Sequence, residues 1–130
     1  MKSESEVQQE IQIKAMHFNC HLMRNNSGAL LDSDGRPVRF GLGNVSKEHN
    51  ERIKSSDLIG FTKVVITPDM VGKTIAVFTA IEVKEEAWNC QKKLDKRETA
   101  QQAFITWVLA NGGIASFLNT VDKLSEVFRK

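Results

Sequence analysis

Residues 74–84 alternate with period two: Ile75, Val77, Thr79, Ile81 and Val83 fall on one face of an extended strand, and Ala76, Phe78, Ala80, Glu82 and Lys84 on the other. This is the clearest strand in the chain. Its second face begins apolar and ends in a carboxylate and an ammonium. Two charged groups at the end of a central-looking strand need either each other, as a strand-end salt bridge, or a ligand.

The rest of the sequence supplies elements for a sheet around that strand. Val7, Ile11, Ala15, Phe18 and Leu22 mark one stripe of an amphipathic helix that gives way at the turn-forming run Arg24-Asn25-Asn26-Ser27-Gly28. Ser3 is the expected N-cap, Glu6 stands at the capping-box position, and Glu10 is one turn from Lys14. Glu4 falls within the apolar stripe, where a carboxylate calls for a partner. Residues 29–31 and 36–40, joined by Asp32-Ser33-Asp34-Gly35, predict a β-hairpin, and residues 41–56 a polar surface loop or short helix. Residues 57–61 and 64–66 are strand material closed by Thr67-Pro68-Asp69, and residues 85–96 are a charged connection. A helix marked by Ala100, Phe104, Trp107, Val108 and Leu109 stops at Asn111-Gly112-Gly113. A short strand over residues 114–118 and a final helix capped by Thr120 and carrying Val121, Leu124, Val127 and Phe128 complete the order. That order predicts an α/β fold, with a mixed β-sheet flanked by helices.

Composition narrows the function classes. The 130 residues fit one domain, 41% hydrophobic and 26% charged, as expected of a chain that buries a core. The net charge of +2 is spread evenly, with 9 cations and 8 acids in each of residues 1–66 and 67–130, which excludes a polybasic binder. No apolar run reaches the roughly 18–20 residues a bilayer span requires. The polar, acidic N-terminus and two cysteines without CxxC spacing, Cys20 and Cys90, predict a cytoplasmic protein with free thiols.

Several motifs fail on inspection. Val71-Gly72-Lys73-Thr74 ends like a phosphate loop, but Thr67 stands where the first glycine belongs and a strand rather than a helix follows. Gly41-Leu42-Gly43 lacks the strand–helix context of a dinucleotide site. Asp32 and Asp34 lack the remaining ligands of a calcium loop. His17, Cys20 and His21 lack a fourth zinc ligand with a spacing argument.

What remains is Asp57, then Glu82-x-Lys84, then Gln101. Two carboxylates at strand ends beside a lysine are hard oxygen donors for Mg²⁺ or Mn²⁺ and leave coordination positions for water and a phosphate, the equipment of metal-assisted phosphodiester hydrolysis.

The motifs Arg24-Asn25-Asn26-Ser27-Gly28-Ala29, Val38-Arg39-Phe40-Gly41, Ser55-Ser56-Asp57-Leu58-Ile59-Gly60, Glu82-Val83-Lys84, Gln101-x-x-Phe104 and Gly112-Gly113 occur in that order. In this the chain resembles a VRR-NUC domain, the virus-type replication-repair nuclease branch of the PD-(D/E)xK superfamily, from Glu4 to the last helix. The resemblance implies a restriction-endonuclease-like core and a single VRR-NUC domain over residues 1–130. Asp57, Glu82 and the Val83 carbonyl would bind the metal. Lys84 would be the superfamily lysine, Gln101 (or its neighbour Gln102) the helix glutamine, and Glu4 the N-terminal helix glutamate, with Glu6 and Glu10 as alternatives. Ser56 departs from the proline that many members carry before the aspartate, and the connection over residues 85–96 is long.

Stand-alone members resemble phage-encoded homodimers that cut branched DNA, including four-way (Holliday) junctions, which implies a bacterial host cytoplasm. Arg24, Asn25, Asn26, Arg36, Arg39, Arg52 and Lys54 are candidate DNA contacts, and Trp107, Phe117 and Phe128 candidate dimer contacts. A non-catalytic DNA-binding module and a restriction-type nuclease acting on linear duplex are the competing readings.

Overall fold

The computed structural model describes residues 1–128, and the chain divides into two compact units, Met1–Val64 and Val65–Lys130. The fold is α/β, with four short helices and three two-stranded sheets among the described residues.

The first unit opens with α1 (Glu4–Ala15), and its start is as the sequence predicts. Ser3 caps it: its Oγ accepts from the Glu6 N–H, and the Glu6 carboxylate accepts from the Ser3 N–H at 2.7 Å. The Ser3 backbone N–H and then its hydroxyl hold the Glu6 carboxyl below its usual range. That contact is therefore complete at neutral pH and weakens as pH falls through the lowered value.

The rest of the helix differs from expectation. It stops at Ala15, a 3-10 turn over Met16–Phe18 follows, and Asn19 takes a left-handed φ of 60° that reverses the chain. Leu22, predicted on the helical stripe, lies instead in strand β1 (Cys20–Arg24), antiparallel to β4 (Leu58–Thr62). Tertiary pairing has overridden a local helical period, since Cys20 and Leu22 also satisfy a period of two. The inward positions of α1 are Gln8, Gln12 and Ala15, and the Gln12 amide donates to the Leu22 carbonyl, so Val7 and Ile11 stay exposed. Glu4 is exposed too, in the first helical turn where the dipole favours an acid, and needs no partner. Glu10 bonds Lys2 rather than Lys14.

The predicted hairpin is present as β2 (Gly28–Leu31) and β3 (Pro37–Phe40), and residues 41–56 include the short helix α2 (Lys47–Arg52) capped by Ser46. Residues 64–66 do not continue β4, because β1 starts at Cys20 and leaves them no strand to pair with.

The second unit is built on a parallel pair, β5 (Thr79–Val83) and β6 (Ile114–Leu118), joined by the crossover helix α3 (Lys96–Ala110). The strand expected over residues 74–84 is shorter than its alternation, since β6 begins only after the Gly112-Gly113 turn and no strand among the described residues pairs with residues 74–77. Ile105, Val108 and Ala115 form the buried core, with Phe78, Ala80, Trp107 and Phe117 packed on it. Trp107 and Phe117 thus serve packing rather than a free dimer patch. Phe104 and Leu109, expected to be inward, are exposed, and Phe128 is about half exposed at the end of α4 (Leu124–Val127). No helix among the described residues is long and apolar enough to cross a membrane.

Candidate active site

Two faces change character at the same end of the second unit. On β5 the inward residues run Phe78, Ala80, Glu82, and Lys84 follows the strand in register, its N–H donating to the Leu118 carbonyl at 2.8 Å. On α3, Glu98, Gln101, Ile105 and Val108 recur at steps of 3, 4 and 3 and so share one face. The apolar halves of these faces make the core, and the polar halves meet beyond it.

The meeting is specific. The Gln101 side-chain N–H donates to Glu82 Oε1 at 2.7 Å, and Lys84 Nζ donates to Gln101 Oε1 at 2.7 Å. A carboxylate only accepts and an ammonium only donates, so the amide has one orientation that satisfies both. Gln102, the sequence alternative, bonds Thr106 on another side of α3. Lys84 also lies 3.8 Å from Glu98 Oε2, with both side chains about 15% exposed. Its ammonium sits 5.9 Å from the Trp88 ring centre and 5.4 Å from that of Phe117, within cation–π range.

Glu98 and Trp88 are members of this cluster that sequence reasoning missed. The Trp88 indole N–H donates to the Glu98 carboxylate, whose other oxygen accepts from the Asp95 N–H at 3.1 Å as part of a capping box. The signal was in the sequence: Asp95-x-x-Glu98 is a helix start, and starting α3 there puts Glu98 one turn before Gln101. Asn119 fixes the connection after Lys84 by donating to the Glu86 and Trp88 carbonyls.

This enclosure gives a measurable expectation. Lys84 is expected to undergo reductive methylation more slowly than the exposed Lys14 and Lys47, and Trp88→Ala is expected to raise the Lys84 rate severalfold, read by peptide mass spectrometry. Equal rates for the three lysines in the unaltered protein would contradict the packing described.

Val83 points its side chain outward, and alternate residues of β5 carry the bonds to β6. The Val83 carbonyl is therefore directed to the opposite edge of β5, which has no strand partner among the described residues. The donors on this strand, a carboxylate and a carbonyl, are hard oxygen ligands of the kind Mg²⁺ and Mn²⁺ prefer.

Asp57 belongs to the first unit, exposed at the entrance to β4. Asn25 sets that entrance: its N–H donates to the Asp57 carbonyl at 2.8 Å, and its side-chain amide to Ser55 Oγ at 2.8 Å and the Ser56 carbonyl at 2.9 Å. Ser56 closes the turn with a bond from its hydroxyl to the Leu58 carbonyl, so the segment is held without proline. Asn25 thus works inside the fold. Arg24, Asn26, Arg36, Arg52 and Lys54 are exposed on the same unit, and Arg39 is half-buried. No family model, curated protein or solved structure matches the chain.

Proposed function

We propose that the chain is a metal-dependent endodeoxyribonuclease of the VRR-NUC type with a PD-(D/E)xK core, hydrolysing phosphodiester bonds in branched DNA such as four-way junctions. The Glu82–Gln101–Lys84 chain of hydrogen bonds carries the reading. It ties an oxygen-donor carboxylate and an ammonium on one strand face to a helix glutamine, the three residue types of the family's motif in its order. The order and spacing of the other motifs add to it.

Glu82 and the Val83 carbonyl, adjacent on β5, would hold Mg²⁺ or Mn²⁺, and the resemblance adds Asp57 as a further ligand. When bound, such an ion polarises phosphoryl oxygens and lowers the pKa of a coordinated water. Gln101 occupies one oxygen of Glu82 and fixes the carboxylate's rotation. Lys84, steadied by Gln101 and Glu98, brings a fixed positive charge toward a phosphate that gains negative charge as it is attacked. Glu4 is the weakest member of the set, being exposed in a helix turn that already suits it.

Among the described residues the chain carries one such cluster, so symmetric cutting of a junction's two strands calls for a homodimer. The cytoplasm of a phage-infected bacterium, where Cys20 and Cys90 remain thiols, is the setting proposed for it.

A labelled four-way junction, a flap and a linear duplex, each incubated with the protein with and without Mg²⁺ or Mn²⁺, test this directly. Metal-dependent cutting of the junction is expected to exceed cutting of the linear duplex. Cutting of the duplex at fixed sequences would identify a restriction-type enzyme instead, and binding without cutting on any substrate would identify a non-catalytic module.

A further inference from the structure

On the first unit, Pro37, Arg39, Asn44, Val45, Ser46 and Lys47 line an open cleft of about 670 Å³. At its floor Asn44 is buried, 7% exposed, although it is a polar residue in a loop. Every bond it makes is accounted for. Its amide N–H groups donate to the carbonyls of Gly28 and Phe40 at 2.8 and 2.9 Å, a facing pair of the β2–β3 hairpin. Its single oxygen accepts from Arg39 Nη1 at 2.9 Å.

Asn44 therefore does two things: it closes the open end of the hairpin, and it holds one end of the Arg39 guanidinium. An arginine held this way has given up part of its rotamer freedom before any ligand arrives. Among the described residues Arg39 has no carboxylate partner, and the remaining N–H groups of its fork are not taken up by protein. Lys47 lines the same cleft, while the Ser46 hydroxyl is occupied in capping α2 through the His49 N–H. A partly buried cation without a counterion, oriented by a buried amide beside a second cation, matches an oxyanion with two or more oxygens.

We propose that this cleft is a phosphate-binding subsite, with Arg39 as the bidentate donor, Lys47 as the second cation and Asn44 as the positioning residue. Resting on the nuclease reading, the phosphate belongs to the nucleic-acid backbone, which singles out Arg39 among the seven candidate contacts and adds Lys47 to them. Free phosphate is the other source of the same chemistry.

The test measures binding of labelled junction and duplex DNA by fluorescence anisotropy in chelator across a salt series. A second arm records the Arg39 Nε–H resonance of the protein against inorganic phosphate. Arg39→Gln and Lys47→Gln are each expected to weaken DNA binding about tenfold and to reduce the slope of log Kd against log salt by about one phosphate contact. Arg39→Lys keeps the charge but not the fork, and is expected to recover only a small part of the loss. Lys14→Gln, at an exposed site on α1, is expected to change binding less than twofold.

If the unaltered protein binds and cuts DNA and the Arg39 and Lys47 variants bind equally well, the subsite is wrong while the nuclease reading stands. If it neither binds nor cuts DNA but inorganic phosphate shifts the Arg39 resonance, the subsite stands with free phosphate as its ligand and the nuclease reading falls. An unresponsive resonance together with unchanged DNA binding overturns the proposal in both forms.

Discussion

Replacing Glu82 with alanine is expected to lower metal-dependent cleavage of junction DNA at least about 1,000-fold, the scale of losing several kcal/mol of charge stabilisation at the reacting phosphate. The same loss is expected for Asp57→Ala. Neither change should cost much DNA affinity, because removing an acid relieves repulsion of the phosphates.

Glu82→Gln separates ligation from packing. A glutamine there still accepts from Gln101 and preserves the hydrogen-bonded chain to Lys84, so its fold should match the unaltered protein by circular dichroism while cleavage is lost. Single-turnover cleavage in Mg²⁺ and in Mn²⁺ is the measurement, with anisotropy in chelator for binding. Retained metal-dependent cutting by both alanine variants would remove Asp57 and Glu82 from the site.

The second large effect concerns the strand that Asp57 enters. Gly60 pairs with Leu22 across β1 and β4, and a methyl group placed on it would lie 1.7 Å from the His21 carbonyl oxygen. That neighbour is backbone in a paired strand, so it yields only if β1 and β4 separate. Gly60→Ala is expected to destabilise the protein by about 3 kcal/mol or more, read as a lowered urea midpoint. Gly43→Ala provides the contrast. Nothing lies near its would-be Cβ, and only its positive φ of 71° opposes the change, for a cost of about 1 kcal/mol. Equal midpoints for the two variants would show that β1 and β4 do not approach as closely as described.

The capping box at Ser3, the hairpin, the short strand at Ile114–Leu118 and the pairing of Glu82 with Lys84 on one face all follow from local chemistry: a hydroxyl three residues before an acid, a turn between apolar runs, a period of two. Local pattern and structure part where a partner strand decides the outcome. Residues 20–24 fit a helical stripe and a strand equally well, and only β4 selects the strand. Residues 74–77 alternate as well as any, yet β6 is too short to reach them.

The sequence places Gln101 on the helix that follows Glu82-x-Lys84, but does not give its role as the amide joining a carboxylate to an ammonium. Glu98 follows from the helix start at Asp95, which the reading of residues 85–96 as a charged connection passed over. Arg39 stood among seven equivalent candidates until a buried asparagine distinguished it.

The sequence distances within the Glu82 cluster carry a kinetic consequence. Gln101 lies 19 residues from Glu82 and 17 from Lys84, and the β5–β6 pair they rest on closes only after α3 has crossed over. The β2–β3 hairpin needs a loop of a few residues, and its closing entropy is correspondingly small. During refolding the hairpin strands are therefore expected to pair before the carboxylate, amide and ammonium come into line. A chain released from denaturant would then form its hairpin before Glu82, Gln101 and Lys84 are aligned.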